Sequence, residues 1–436
     1  MIAKSKVFKL GLIIKVASFS FQATIQANGL RVVSQDAFAA ARGEAFVATA
    51  DNPSAIHYNP AGLTQLDGHN FRAGTYGLYL DPTFQPPAGS PNEGQTFRIE
   101  RNETVIPQLY YSYSLDDIPL SVGLGVYVPY GAEVAWPQDT GFRAVAISGE
   151  LTYLRFNPVI AYEVTSNFSI AGGLMLDYGD ISLTQGLDNF NFPDSPEFNN
   201  LFAFSGDDWG LAYNIGALWK PHEKLSIGAT FRSSTTLNFE GETEIFDPIP
   251  TAAPGFANPV FTPASLEYEL PSTVAFGISY RPTRKWNIEF NADFTNWSSL
   301  DSTAIRQAVE PAPIAQDVDV NLGFRDSWIY KVGITRYFEN GWRASAGYVF
   351  NENSVSDTFN SPLVADLDRH FFTFGLGYED QRCSLDVSYQ FGFSPSRTVS
   401  GSLPSALPTA NLGIQGADGT FDFTSHALLI STGIKF

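Results

Sequence analysis

Between residues 285 and 297 the chain reads Lys-Trp-Asn-Ile-Glu-Phe-Asn-Ala-Asp-Phe-Thr-Asn-Trp, apolar and polar side chains alternating without a break. Strand side chains point to opposite faces with period two, so Trp286, Ile288, Phe290, Ala292 and Phe294 share one face. Asn287, Glu289, Asn291, Asp293 and Thr295 share the other. The same split recurs with Leu385, Val387, Tyr389, Phe391 and Phe393 against Asp386, Ser388, Gln390 and Gly392. It holds to the end of the chain, where Leu428, Ile430, Ile434 and Phe436 oppose Ala427, Ser431, Gly433 and Lys435. A chain patterned this way throughout predicts an all-β fold, a transmembrane antiparallel up-and-down β-barrel.

Strand-like segments begin near residues 69, 103, 119, 150, 168, 208, 224, 266, 285, 318, 342, 368, 383 and 423, about fourteen in all. Short polar turns such as Thr165-Ser166-Asn167 and Glu339-Asn340-Gly341 alternate with long connections such as 82–102 and 186–207. An up-and-down barrel has this parity when one rim faces the periplasm and the other the exterior, with both termini on the short-turn side. Closure is obligatory, because an open edge in hydrocarbon leaves backbone groups unpaired at several kcal/mol each. Apolar residues in the long connections, among them Phe190, Phe192, Phe198, Phe202 and Phe204, and Ile249, Phe256, Val260 and Phe261, either pack on one another or form a greasy outer vestibule. Aromatics at strand ends (Tyr110, Tyr162, Tyr178, Trp219, Tyr280, Trp297, Tyr378) suit interfacial girdles.

Composition excludes several classes. No uncharged run of roughly 20 apolar residues exists to span a bilayer as a helix. A net charge of −19 argues against nucleic acid as a partner. Cys383 is the sole cysteine, which rules out an internal disulfide or a cysteine metal site, and it is expected to pack as an ordinary strand residue. The five histidines are scattered without metal-ligand spacing, and no Gly-x-Ser-x-Gly elbow or phosphate-cradling motif occurs. No enzyme activity, metal or cofactor is expected.

Three regions follow from the pattern: an export signal over 1–27, a compact segment over 28–68, and a barrel over 69–436. The signal has a basic start (Lys4, Lys6, Lys9), an apolar stretch and a small residue, Ala27, at the cleavage point. Within 28–68 the run from Asp36 to Ala50 is helix-compatible with Asp36 as N-cap, and Gly43 weakens it. Two X-Pro steps then impose turns on 51–64. Such a segment is either a periplasmic appendage or a lumen plug, and its small side chains favour the plug.

The run Ala50-Asp51-Asn52-Pro53-Ser54-Ala55-Ile56-His57-Tyr58-Asn59-Pro60-Ala61-Gly62-Leu63, placed just before the first strand, resembles the N-terminal hatch signature of the FadL family. That family comprises outer-membrane transporters of long-chain fatty acids and, in some members, aromatic hydrocarbons. The resemblance implies that the hatch motif Asn59, Pro60, Ala61 and Gly62 lies against an inward kink of the third strand, which opens the wall toward the bilayer. The third strand reads Gly123-Leu124-Gly125-Val126-Tyr127-Val128-Pro129-Tyr130-Gly131, and its Tyr130-Gly131 pair matches the family's strand. Pro129 removes a ladder hydrogen bond, so Pro129, Tyr130 and Gly131 either kink the strand or end it.

The inward faces carry Arg155, Arg232, Arg325, Lys331 and Arg343. The first four are candidates to receive a cargo carboxylate, or pair with inward acids such as Asp177, Glu289, Asp293 and Asp386. The expected function is passive uptake of a hydrophobic ligand, a fatty acid or an aromatic hydrocarbon, by a monomer in a Gram-negative outer membrane. Outer-membrane lipid and lipopolysaccharide are the expected surroundings, and Phe436 the signal read by the barrel assembly machinery. A general diffusion porin and a structural or adhesive barrel are the alternatives.

Overall fold

The computed structural model describes residues 29–90, 92–187, 201–246, 259–309, 316–364, 366–403 and 416–436. The export signal and Phe190, Phe192, Phe198, Ile249 and Phe256 lie outside the described residues. Fourteen antiparallel strands close into one barrel. They are β1 (His69–Gln85), β2 (Glu103–Ser114), β3 (Leu120–Tyr127 and Ala132–Ala135), β4 (Ser148–Thr165), β5 (Phe168–Gly186), β6 (Leu201–His222) and β7 (Leu225–Arg232 and Thr235–Phe246). The second half holds β8 (Val260–Leu270 and Thr273–Thr283), β9 (Trp286–Thr295 and Ser302–Gln307), β10 (Asp317–Asn321 and Ser327–Tyr337), β11 (Trp342–Asn351), β12 (Arg369–Glu379), β13 (Cys383–Phe393) and β14 (Gly419–Lys435). Closure runs from Asn70 opposite Lys435 to Gln85 opposite Thr420, so no edge is left open between β14 and β1.

Burial follows the period-two reading. Ile288, Phe290, Leu385, Val387, Tyr389, Leu428, Ile430 and Ile434 are exposed on the outer wall, whereas Asn287, Glu289, Asn291, Asp386, Ser388 and Ser431 are buried inside. Phe436 ends the chain beside the start of β1, its N–H donating to His69 O at 3.0 Å. The six short turns lie on that same rim, as alternation of connections requires.

Five strands carry breaks, at 128–131, 233–234, 271–272, 296–301 and 322–326. Those of β7 to β10 are neighbours in the wall, and Tyr130 Oη reaches across from the break in β3 to Pro271 O at 3.2 Å. Two aromatics depart from the girdle expectation, the first of them at a break. Trp297, in a 3-10 turn at the β9 break, is fully buried against Phe324 and Tyr130. Tyr110 also points inward and donates its hydroxyl to Gln35 O at 3.1 Å. Cys383, expected to be packed, is exposed at the start of β13.

Residues 29–63 are enclosed by the barrel, nearly all of them buried. Helix α1 (Ala37–Ala41) starts at Asp36, whose carboxylate accepts from the N–H of Phe38 at 3.0 Å and of Ala39 at 3.2 Å. It stops after five residues rather than running to Ala50, because Gly43 and Glu44 adopt φ of 64° and 60°. The stretch expected to be all turns contains α2 (Ala55–Tyr58) and a 3-10 helix, Pro60–Gln65.

Candidate functional site

The wall of the barrel has a window between β2 and β3. Their ladder begins at Leu109 opposite Val126 and runs only toward the short-turn rim. Beyond it, no backbone pairing among the described residues joins Glu103–Gln108 to β3 until Glu100 N–H donates to Ala135 O at 2.8 Å. On the far side, Tyr127 faces Arg155 and Ala132 faces Leu151, so four β3 residues (128–131) span three of β4 (152–154). One surplus residue is a β-bulge, and Pro129, which has no N–H to give a ladder, lies within it.

Backbone groups freed from the ladder need partners. They find them in the N-terminal segment: Val32 N–H donates to Pro129 O and Gly131 N–H to Leu30 O, both at 2.9 Å. Gln35 Nε2 adds a bond to Val128 O at 2.7 Å. Residues 30–32 thus run as a short strand behind the window, with Arg31 opposite Tyr130. The resemblance placed Asn59–Ala61 against this kink; the backbone groups freed at 128–131 bond residues 30–35, while the 3-10 helix Pro60–Gln65 packs against β3 before the break. An extended segment offers N–H and C=O at strand spacing, which the turn at Asn59 does not.

The Asn59 turn is pinned instead to β6. Its Nδ2 donates to Val47 O and to Ala217 O, each at 2.9 Å, and its Oδ1 accepts from Ala61 N–H at 3.2 Å. Pro60 lies over Gly216, and Gly62 lies so close to Ala50 that a Cβ there would be 2.2 Å from Ala50 O. This packing repeats around the ring. A Cβ at Gly228, Gly333 or Gly347 would come within 2.2 Å of backbone atoms of Val47, Arg42 or Gly43. At these glycines the wall touches the enclosed segment backbone to backbone.

Ion pairs join the two as well. Arg72 of β1 bonds the Asp36 carboxylate and reaches Asp386 at 2.8 Å, and Arg42 lies 3.5 Å from Glu289. Removing one member of a buried pair leaves the other uncompensated. Asp36→Ala also removes the cap of α1. It is expected to weaken docking of the segment by about 3 kcal/mol, because Arg72 keeps Asp386. Faster hydrogen exchange over residues 36–44, with the barrel strands unchanged, is the measurement.

Above the segment lies a cavity of about 240 Å³. Ala132, directly after the β3 break, and Leu30, bonded to Gly131 at that break, reach its lining; Leu151, Ile181, Leu266 and Val318 form apolar walls, with Glu150, Gln185 and Asn321 among the polar lining residues. No Lys, Arg or His is among the lining residues. Phe202, one of the apolar residues expected in a loop, belongs to β6 and lines this cavity.

The four carboxylate candidates separate clearly. Arg155 is held by both oxygens of Asp177 at 2.6 and 2.8 Å. Lys331 binds Asp293 at 2.7 Å, and Arg31 lies 3.3 Å from the same oxygen. Arg325 is not inward: it is exposed and bonds Asn353 at 2.5 Å. Gly323, at φ 53°, breaks the alternation just before it. Arg232 is buried, donates only to Tyr58 O at 3.4 Å, and has no partner for Nε among the described residues. Sequence reasoning missed Arg31, Arg42 and the inward glycines; glycine on the polar phase of a strand was the signal that could have found the last.

Comparison with known proteins agrees with this geometry. The model of the family described as outer membrane protein transport protein (OMPP1/FadL/TodX) matches residues 16–436. A long-chain fatty acid transport protein of Escherichia coli O6:H1 is 24% identical over 429 residues, covering 90% of this chain and 93% of that protein. The 47 kDa outer membrane protein of Pasteurella multocida is 24% identical over 402 residues, covering 86% and 91%. Among solved structures, a Pseudomonas aeruginosa FadL homologue has a TM-score of 0.78 at 18% identity, covering 94% of this chain and 100% of that one. The Pseudomonas putida toluene transporter TodX has a TM-score of 0.68 at 17% identity, covering 95% and 100%. A closed barrel with an occupied lumen, a window in its wall and a match over nearly its whole length make this chain a member of the OMPP1/FadL/TodX family of outer-membrane transport proteins.

Proposed function

We propose that the protein admits hydrophobic molecules passively through the outer membrane, long-chain fatty acids or similar cargo, and releases them sideways into the bilayer. Cargo is taken from among the outer loops into the 240 Å³ cavity and leaves past Pro129, Tyr130 and Gly131 through the window between β2 and β3. The observation that carries this reading is that Ala132, directly after the break in β3, and Leu30, whose C=O accepts from Gly131 N–H at that break, both line the cavity. An apolar pocket offers about 0.8 kcal/mol per buried CH₂, so the cargo need not cross a water-filled pore. Residues 28–68 act as the hatch, with both termini on the periplasmic side. Arg232 receives an acidic head group where the cargo carries one, since it is the buried candidate without a carboxylate partner among the described residues. No catalytic step belongs to this reading. A monomer, with Phe436 read by the assembly machinery and lipopolysaccharide around the outer rim, completes it.

The test is paired. Cells expressing the chain take up labelled fatty acid or toluene faster than cells without it, and the purified protein passes no large steady ionic current in planar bilayers. A steady current would indicate a diffusion porin instead; absence of both current and hydrophobe uptake would indicate a structural barrel.

A further inference from the structure

We propose that the seam between β6 and β7 is a second lateral portal to the upper cavity, used by uncharged hydrophobes dissolved in the outer leaflet; this deepens the uptake reading and rests on it. The two strands pair from their shared turn up to Asn214 opposite Arg232, and again from Asp207 opposite Glu240 toward the outer rim. Between those points six residues of β6 (208–213) face seven of β7 (233–239) without a ladder pair. An ordinary bulge absorbs one surplus residue and the ladder resumes at once. Here the ends of the gap are tied by substitutes. Ser233 N–H donates to Tyr213 O at 2.9 Å, Tyr213 N–H to Ser233 Oγ at 3.0 Å and Asn238 N–H to Asp208 Oδ2 at 2.7 Å. A wall in hydrocarbon normally keeps its ladder complete, so a gap of this length marks a place where the strands can part.

The strands overlap at the gap instead of standing side by side. A Cβ on Gly210, which points inward from β6, would lie 2.5 Å from Thr235 Cγ2 and 3.2 Å from Thr236 O. One on Gly179 of β5 would lie 2.6 Å from Leu237 Cδ1 and 3.0 Å from Phe239 Cε1. So β7 passes behind β6 on the lumen side, and Leu237 and Phe239, both fully buried, close the seam from within. Their partners across the β7–β8 ladder are Tyr268 and Leu266, and both of these line the cavity. Outside, Trp209, Leu211 and Tyr213 are exposed to lipid along the same stretch. A hydrophobe in the leaflet is therefore separated from the cavity by two rotatable side chains and no continuous ladder. Asp207, Asp208 and Glu240 stand at the outer end of the gap and repel a carboxylate, which restricts the portal to uncharged cargo.

The experiment uses the full barrel in lipid nanodiscs with 4-fluorotoluene, which dissolves in the lipid. Fluorine exchange spectroscopy reads its rate of passage between lipid and cavity, and the resonance areas read its affinity. Deleting Pro129 removes the surplus residue of β3 and isolates the slower route through the seam. Deleting Ser234 as well leaves six residues facing six, with Thr235, Leu237 and Phe239 opposite the inward Ala212, Gly210 and Asp208, so the ladder can close. The mismatch passes to Pro271 and Ser272 of β8, where that strand is already broken. The residual exchange is expected to fall about tenfold with affinity unchanged. Leu237→Ala in place of the Ser234 deletion is expected to raise it about tenfold, and decides alone should the double deletion fail to fold. Residual exchange that the folded variants leave unmoved overturns the portal while release past Pro129 stands. Absence of a bound resonance in the unmodified protein overturns the cavity reading and the portal with it.

Discussion

Deleting Pro129 is expected to abolish most lateral release while leaving cargo binding intact. The four residues 128–131 of β3 span three of β4, so removing one brings Tyr127 and Ala132 into a single register with Arg155 and Leu151. Side-chain phase survives the deletion, because Tyr130 then falls opposite Tyr153, which already packs against it at 5.4 Å. The strand can now complete its ladder, and an N–H replaces the donorless proline. Each restored bond contributes about 1 kcal/mol net. Two or three of them added to the barrier for escape slow uptake on the order of a hundredfold. Uptake rate in cells and ligand affinity of the purified barrel are the two measurements. Uptake equal to that of the unmodified protein would rule out the window as the exit.

Gly347→Val combined with Gly333→Val is expected to expel the enclosed segment without unfolding the barrel. Valine improves the strand propensity of β10 and β11, so the wall itself loses nothing. Yet a Cβ at either position would stand 2.2 Å from backbone of the segment, Gly43 N in one case and Arg42 O in the other. Backbone cannot rotate away as a side chain would. Overpacking of this kind costs about 1–3 kcal/mol per site, and the segment rather than the closed cylinder absorbs it. Ionic conductance of the double variant should then rise toward that of a barrel lacking residues 28–60, and protease should cleave near Arg42. A tight, protected variant would show that the segment is not held by close backbone contact.

The two predictions draw on different kinds of information. Alternation over 285–295 and 427–436 was enough to place each side chain on the lipid or lumen face, because strand geometry is local and its period is two. Pro129 was legible as a ladder defect for the same reason: the missing N–H is a property of one residue. The partner of that defect was not. Leu30 and Val32 lie about one hundred residues away, and nothing in their own pattern marks them as a strand. Arg325 was assigned to the lumen by continuing the alternation of β10 through Gly323, whose positive φ resets the phase.

Cation assignment shows the same limit. Arg155, Arg232 and Lys331 share the inward phase, so sequence makes them equivalent. Only the register of β4 on β5 brings Asp177 opposite Arg155, and only the β9–β10 pairing brings Asp293 within reach of Lys331. Arg232 faces Asn214 and Thr273 on its neighbours and has no acid within ion-pair distance among the described residues.

The sequence alone determined that this chain is a lipid-facing cylinder with alternating short and long connections, because face and turn length are written residue by residue. Tertiary structure alone decided where the cylinder is open, what fills it and which charges remain free. Those depend on contacts between residues far apart in the chain, which no local period encodes.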